Sequence, residues 1–265
     1  MPQTVTITTP ITKNRYVKEL AAILTAHHVA SEQDLLAVID QVAAMERQLD
    51  AAVKELAAMR RDLAEAERRR HPVANAMRNA VNAMQKQISE LRDKLATLKQ
   101  AVIAGCKNAV AAFKEKGIAA LSNIARFFRL RPMLEAVHTA ARNATQSADQ
   151  TIARIETISA EYHEAGRHLK NIGRAVTGKE IIQEAKPQGQ LAKTVTAPFR
   201  VTRSRFANIR DSAAAAIGTL NRLEERAAQR KPSVQKAMQE YNQQIAETAR
   251  AAPETVRVRP MKVER

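Results

Sequence analysis

Apolar residues fall three and four positions apart along most of this chain, regularly enough to predict its helices one by one. Leu35, Val38, Val42, Met45, Leu49, Ala52, Leu56, Met59, Leu63 and Ala66 hold the seam of a heptad repeat, one apolar stripe along one helix. Pro72 interrupts it, since proline suits a first helical turn and disfavours helix at the residue before it. The stripe resumes at Met77, Val81, Met84, Ile88, Leu91, Leu95, Leu98 and Val102. Flanking charges indicate how the two helices relate. Folding back about His71 brings Glu67 to Arg78 and Glu46 to Lys99, within about one helical turn. An antiparallel hairpin is therefore predicted, with a single kinked helix as the alternative.

The same spacing organises the flanks. Tyr16, Leu20, Ile23 and Leu24 predict a short helix ending near His27, and Ser31 followed by Asp34 caps the first long one. The second long helix is carried past Gly105 and Gly117 toward Arg129, with Gly117 as its weak point. Pro132 opens a third, whose stripe runs from Leu134 through Ile152, Ile155, Ile158, Tyr162, Leu169 and Ile172 to Val176 and stops at Gly178. Residues 179–197 read as a connector. A fourth helix starts at Pro198 with Phe199, Phe206, Ile209, Leu220 and Leu223, and Pro232 separates it from a fifth. The expected fold is all-α and elongated: a disordered arm over 1–14, a short helix and coiled-coil hairpin over 15–131, a helical bundle over 132–251 and a disordered tail over 252–265.

Composition sharpens this picture. Aromatic residues are 3% of the 265, tryptophan is absent and only seven glycines occur, which favours long helices over turn-rich folds. The lone cysteine, Cys106, rules out an internal disulfide and fits a reducing compartment. No apolar run nears the roughly 18 residues of a membrane span. Residues 1–12 lack the layout of a signal peptide, so a cytoplasmic location without a membrane partner is expected.

Charge is uneven. The net charge is +16, yet residues 32–70 carry nine acidic and seven basic side chains. The excess gathers over 105–131, with six basic residues and one acidic, and over 198–231, with eight and three. Within these, Arg126, Arg129 and Arg131 surround Phe127 and Phe128, while Arg200, Arg203 and Arg205 lie between Phe199 and Phe206. Arginine interleaved with phenylalanine can neutralise phosphates and stack on bases, so patches 126–131 and 200–210 are candidate nucleic-acid contacts. The competing reading places the phenylalanines in seams and leaves the arginines as solvated faces.

Other motifs lack the company their chemistry needs. Gly173 to Lys179 has phosphate-loop spacing, but a helix precedes it and Glu180 stands where Ser or Thr should meet magnesium. Glu135 and His138 form a carboxylate and histidine pair without the second copy a di-iron site requires. His163, Glu164 and His168 miss zinc-protease spacing by one residue. An enzyme would need these histidines to converge with carboxylates in space. No catalytic, metal or cofactor residue is assigned, and an activity that is not enzymatic is expected.

Three stretches carry a resemblance: Lys13 to Leu20, Gly105 to Val110 with Phe113 to Gly117, and Ser159 to Leu169. Together they resemble an uncharacterised all-helical family of unknown function from Clostridia-type bacteria, often encoded on conjugative or other mobile elements, and the similarity covers nearly the whole chain. The resemblance implies a cytoplasmic accessory protein of a mobile element and supplies no catalytic residues. The function expected is a scaffolding or interaction protein that uses its helical seams for self-association or a protein partner. A nucleic-acid-binding accessory protein is the alternative.

Overall fold

A computed structural model describes residues 9–29, 31–68, 74–121, 124–177, 180 and 190–251, the last stretch with side chains over 195–228. The fold is all-α, and no strand occurs among the described residues. The α-helices are α1 (Arg15–Ala26), α2 (Glu32–Arg68), α3 (Ala74–Lys116), α4 (Arg131–Val176) and α5 (Gln190–Ala251). By contacts the chain forms two units, Met1–Leu223 and Glu224–Arg265. The boundary expected between 131 and 132 falls inside the first. The second unit holds the end of α5, which is helical to Ala251.

α2 and α3 form the hairpin that their charges predict. Arg78 donates to Glu67 at 2.7 and 2.9 Å, Arg60 to Gln85 at 2.6 Å, and Lys99 lies 2.6 Å from Glu46. As residue numbers rise on α2, their partners on α3 fall, so the helices run antiparallel and in register. Their seams meet within one chain: Leu35 through Met59 and Met77 through Val102 are buried. Sequestering such side chains from water stabilises the fold by about 1.5–3 kcal/mol for each large one.

α5 closes the structure from the other side. Arg200 meets Glu156 on α4 at 2.5 Å, Arg203 grips Asp149 through two nitrogens at 2.7 and 3.3 Å, and Arg131 donates to Asn221 at 2.6 Å. Arg205 donates to Gln48 on α2 at 3.2 Å, and Arg222 sits 3.5 Å from Asp34. The descending order of partners makes α5 antiparallel to both α4 and α2. Within the first unit, α2 to α5 thus form an up-down-up-down four-helix bundle with Phe199 and Phe206 fully buried. Three buried threonines turn their hydroxyls onto carbonyls of their own helix: Thr145 onto Ala141, Thr202 onto Pro198 and Thr219 onto Ala215, at 2.8–3.0 Å.

Several expectations change. Of the arm expected to be disordered, residues 9–14 are ordered, and residues 1–8 lie outside the described residues. Ile11 is fully buried, its N–H donates to Glu46 Oε2 at 2.9 Å, and Lys99 Nζ donates to the Thr9 carbonyl. Asn14 then caps α1 by accepting from the Tyr16 N–H at 3.0 Å. α3 stops at Lys116 rather than near Arg129, because Gly117 takes a φ of +65° that ends the helix, and two short 3-10 turns follow. α5 begins at Gln190, inside the expected connector. Thr196 is fully buried and Val195 packs on the core, and this burial outweighs the backbone cost of Pro198 within the helix. α5 also continues through Pro232 without a break. The expected tail, 252–265, lies outside the described residues.

Candidate functional site

The six arginines singled out in the sequence fall at two levels along the bundle. Arg131 meets Asn221 on α5, whereas Arg203 lies eighteen positions earlier on that helix, about 27 Å away at 1.5 Å per residue. In the 200–205 patch, the arginines are occupied by α4 and α2. The hydrogen bond and charge of Asp149 hold the Arg203 guanidinium above its ordinary pKa, so its charge serves an ion pair. Arg200 pairs with Glu156 and Arg205 with Gln48. In the other patch, Arg126 lies over the Phe127 ring at 4.6 Å and donates to the Ala120 carbonyl at 3.2 Å, and Arg129 is exposed. Phe128, Phe199 and Phe206 are core residues, buried away from any base.

The other motifs stay scattered. His138, His163 and His168 are spread along α4, and His168 lies 3.8 Å from Glu164, its neighbour one turn earlier. Among the described residues, no three of His, Cys, Asp and Glu converge to hold a metal ion. Gly173 belongs to α4, so its amide serves the helix. Thr177 turns its hydroxyl back onto the carbonyls of Gly173 and Arg174. Gly178 and Lys179 lie outside the described residues. Cys106 is fully buried, and burial pushes its thiol up to about 12, which leaves it protonated and unreactive.

The surface that stands out is one that the periodicity reads as core. The α4 stripe is buried at Ile152 and Ile155, then emerges: Ile158 is 37% exposed, Tyr162 54%, Leu169 71%, Ile172 62% and Val176 82%. On the same stretch, polar Arg167, Asn171 and Arg174 are half-buried. At about 100° per residue, the emergent stripe lies roughly 90° around α4 from the face that packs into the bundle. Gly166 and Gly173 lie between these two directions, and a Cβ at either would meet no atom within 4 Å.

One comparison bears on the chain as a whole. The model of a family of unknown function, DUF6674, matches residues 13–260. The chain belongs to that family. This agrees with the resemblance to an uncharacterised helical family, and membership in DUF6674 brings no activity with it. No curated protein and no solved structure matches the chain. Among the described residues, no helix is long and apolar enough to cross a membrane.

Proposed function

We propose that the protein is a non-enzymatic helical interaction module whose working surface is the emergent face of α4, from Ile158 to Val176. The observation that carries this reading is the reversal of exposure there: Leu169, Ile172 and Val176 face water while arginines on the same helix are half-buried. Contiguous exposed apolar patches mark interaction sites because leaving them in water costs free energy that a partner's apolar surface recovers. The hairpin seams expected to bind a partner are filled from within the chain, so the role passes to α4. A cytoplasmic setting and accessory service to a mobile element, implied by the sequence resemblance, belong to the same proposal.

The test is a photo-cross-linking residue placed at Leu169 in the full chain and expressed in the native host, with the same residue at exposed, polar-flanked Arg142 as control. A defined protein adduct at 169 that disappears when Ile172 and Val176 become aspartate supports the reading. Equal labelling at both positions, or none at 169, removes it.

A second reading, nucleic-acid binding, is favoured by the exposure of Arg129 and Arg126 beside Phe127 and by the net charge of +16. Anisotropy titrations against labelled single-stranded and duplex DNA at about 50 and 200 mM salt decide it. Affinity that falls steeply with salt and is lost in the R126A/R129A variant supports it, and absence of binding at low salt excludes it.

A further inference from the structure

We infer that the basic patch beside Phe127 takes the phosphate backbone of a nucleic acid without touching its bases, and so without regard to sequence or strandedness. This rests on the nucleic-acid reading above and deepens it by naming the part of the polymer that is bound. Such binding needs cations that the fold leaves unneutralised. Arg126 donates to a neutral acceptor, the Ala120 carbonyl at 3.2 Å, and Arg129 is exposed. Among the described residues, no carboxylate pairs with either. Lys116 ends α3 four residues before that carbonyl, exposed and 3.9 Å from Glu115, whereas Lys114 meets Glu19 at 2.6 Å. The patch at 200–205 differs, because Glu156 and Asp149 hold Arg200 and Arg203.

Bases on a single strand are held by aromatic rings with an open face, and this patch offers none. Phe127 packs against the core and has the Arg126 guanidinium over its ring at 4.6 Å, while Phe128 is buried. Phe113 packs against the core with the His27 ring 5.4 Å away, and Tyr16 has Arg15 over its ring at 4.5 Å. Tyr162 is exposed, but it stands about 46 Å along α4 from Arg131 at 1.5 Å per residue. Bases in a duplex are read by an element that enters a groove, usually a helix or a two-stranded ribbon. Here the arginines sit on and just after 3-10 turns of five and four residues, Gly117–Leu121 and Ile124–Phe127. What the patch can offer is charge to phosphate.

Lys116, Arg126 and Arg129 set the expected salt dependence. If each neutralises one phosphate, the logarithm of affinity falls against the logarithm of salt with a slope of about −2.7 on duplex DNA and about −2 on a single strand. A rise from about 50 to about 200 mM salt then weakens binding about fortyfold and about twentyfold respectively.

Anisotropy titrations of the full chain against four labelled probes of equal length test the inference. The probes are duplex DNA, a mixed-sequence single strand, an abasic strand that keeps the charged backbone, and a methylphosphonate strand that keeps the bases and loses the backbone charge. The expected result is binding to the first three, with the abasic strand within about twofold of the natural single strand, and no binding to the methylphosphonate strand. Arg126→Ala with Arg129→Ala, both at exposed positions, should abolish binding to all probes with an unchanged circular dichroism spectrum. Phe127→Leu should leave every affinity within about twofold. An abasic strand that binds at least about fivefold more weakly than the natural one would show that bases are stacked, and would overturn the inference while leaving the nucleic-acid reading standing. Binding that survives the double arginine variant would place the contact elsewhere and overturn the inference as well. Absence of binding to every probe at about 50 mM salt would remove the nucleic-acid reading and the inference together.

Discussion

Replacing Glu46 with alanine should release the start of the chain from the hairpin and cost the fold a large share of its stability. Glu46 lies on α2 with a side chain 6% exposed, and its two oxygens serve different partners. Oε2 accepts the Ile11 N–H at 2.9 Å, and Oε1 lies 2.6 Å from Lys99 Nζ, whose side chain is 15% exposed. Alanine would strand a nearly buried ammonium with the Thr9 carbonyl as its remaining acceptor and leave a buried amide unsatisfied. Removing one member of a buried pair typically costs about 3–5 kcal/mol, because the survivor keeps its desolvation penalty without its compensation. With an m-value near 2–3 kcal/mol/M, the urea midpoint should fall by about 1–2 M. Hydrogen exchange should accelerate at Lys13 and Asn14, whose amides bond back to Pro10 and Ile11. Lys99→Met should be costly alone yet partly rescue Glu46→Ala, since the double variant buries no lone charge. A loss below about 1 kcal/mol for Glu46→Ala, with unchanged exchange at 13 and 14, would refute the account.

Other consequences are equally checkable. Gly105→Ala should destabilise despite alanine's higher helix propensity, because the added Cβ would lie 2.5 Å from the Phe128 ring and 2.9 Å from the Phe127 carbonyl. Overpacking of about 1–3 kcal/mol against a propensity gain of about 1 leaves a net loss in thermal melts, and trimming Phe128 to leucine should recover part of it. The Cys106 thiol, raised from 9.0 to about 12, keeps its proton in the fold while the unfolded chain loses it above pH 9. This contribution is complete below pH 9 and is lost as pH rises toward 12, so wild type should lose about 2 kcal/mol relative to Cys106→Ala between pH 8 and 10.5 in urea titrations. Arg203→Ala breaks a pair whose side chains are 45% and 51% exposed, and its effect on the urea midpoint should correspond to at most about 1 kcal/mol.

The hairpin was legible because two kinds of sequence signal agree on it: proline at the bend, and opposite charges that meet only when the helices fold back. Both ion pairs expected from that reading, Glu67 with Arg78 and Glu46 with Lys99, are present. The face of α4 was misread for a physical reason. Periodicity reports that one side of a helix is apolar, whereas burial depends on a neighbour that the pattern does not name. Ile155 and Leu169 share one stripe and end 1% and 71% exposed. The arginines at 200–205 show the same limit, since their carboxylate partners, Glu156 and Asp149, lie about fifty residues away in sequence. Ile11 gave no sign of burial because its anchor is a carboxylate 35 residues away.

The threonines that bond their own helices at Thr145, Thr202 and Thr219 leave a core with little polar address. A seam of repeating Leu, Met, Val and Ala looks much the same after a slip of one heptad, about 10.5 Å along the axis. What forbids the slip lies outside the seam, at Glu46, where one carboxylate of α2 holds Lys99 of α3 and the Ile11 amide together. A slip of one heptad could still offer Glu46 a cation in Arg92, but only the observed alignment brings Lys99 and the Ile11 amide to the same carboxylate, so the hairpin is keyed there, and removing Glu46 would leave α2 and α3 well packed but less strictly aligned.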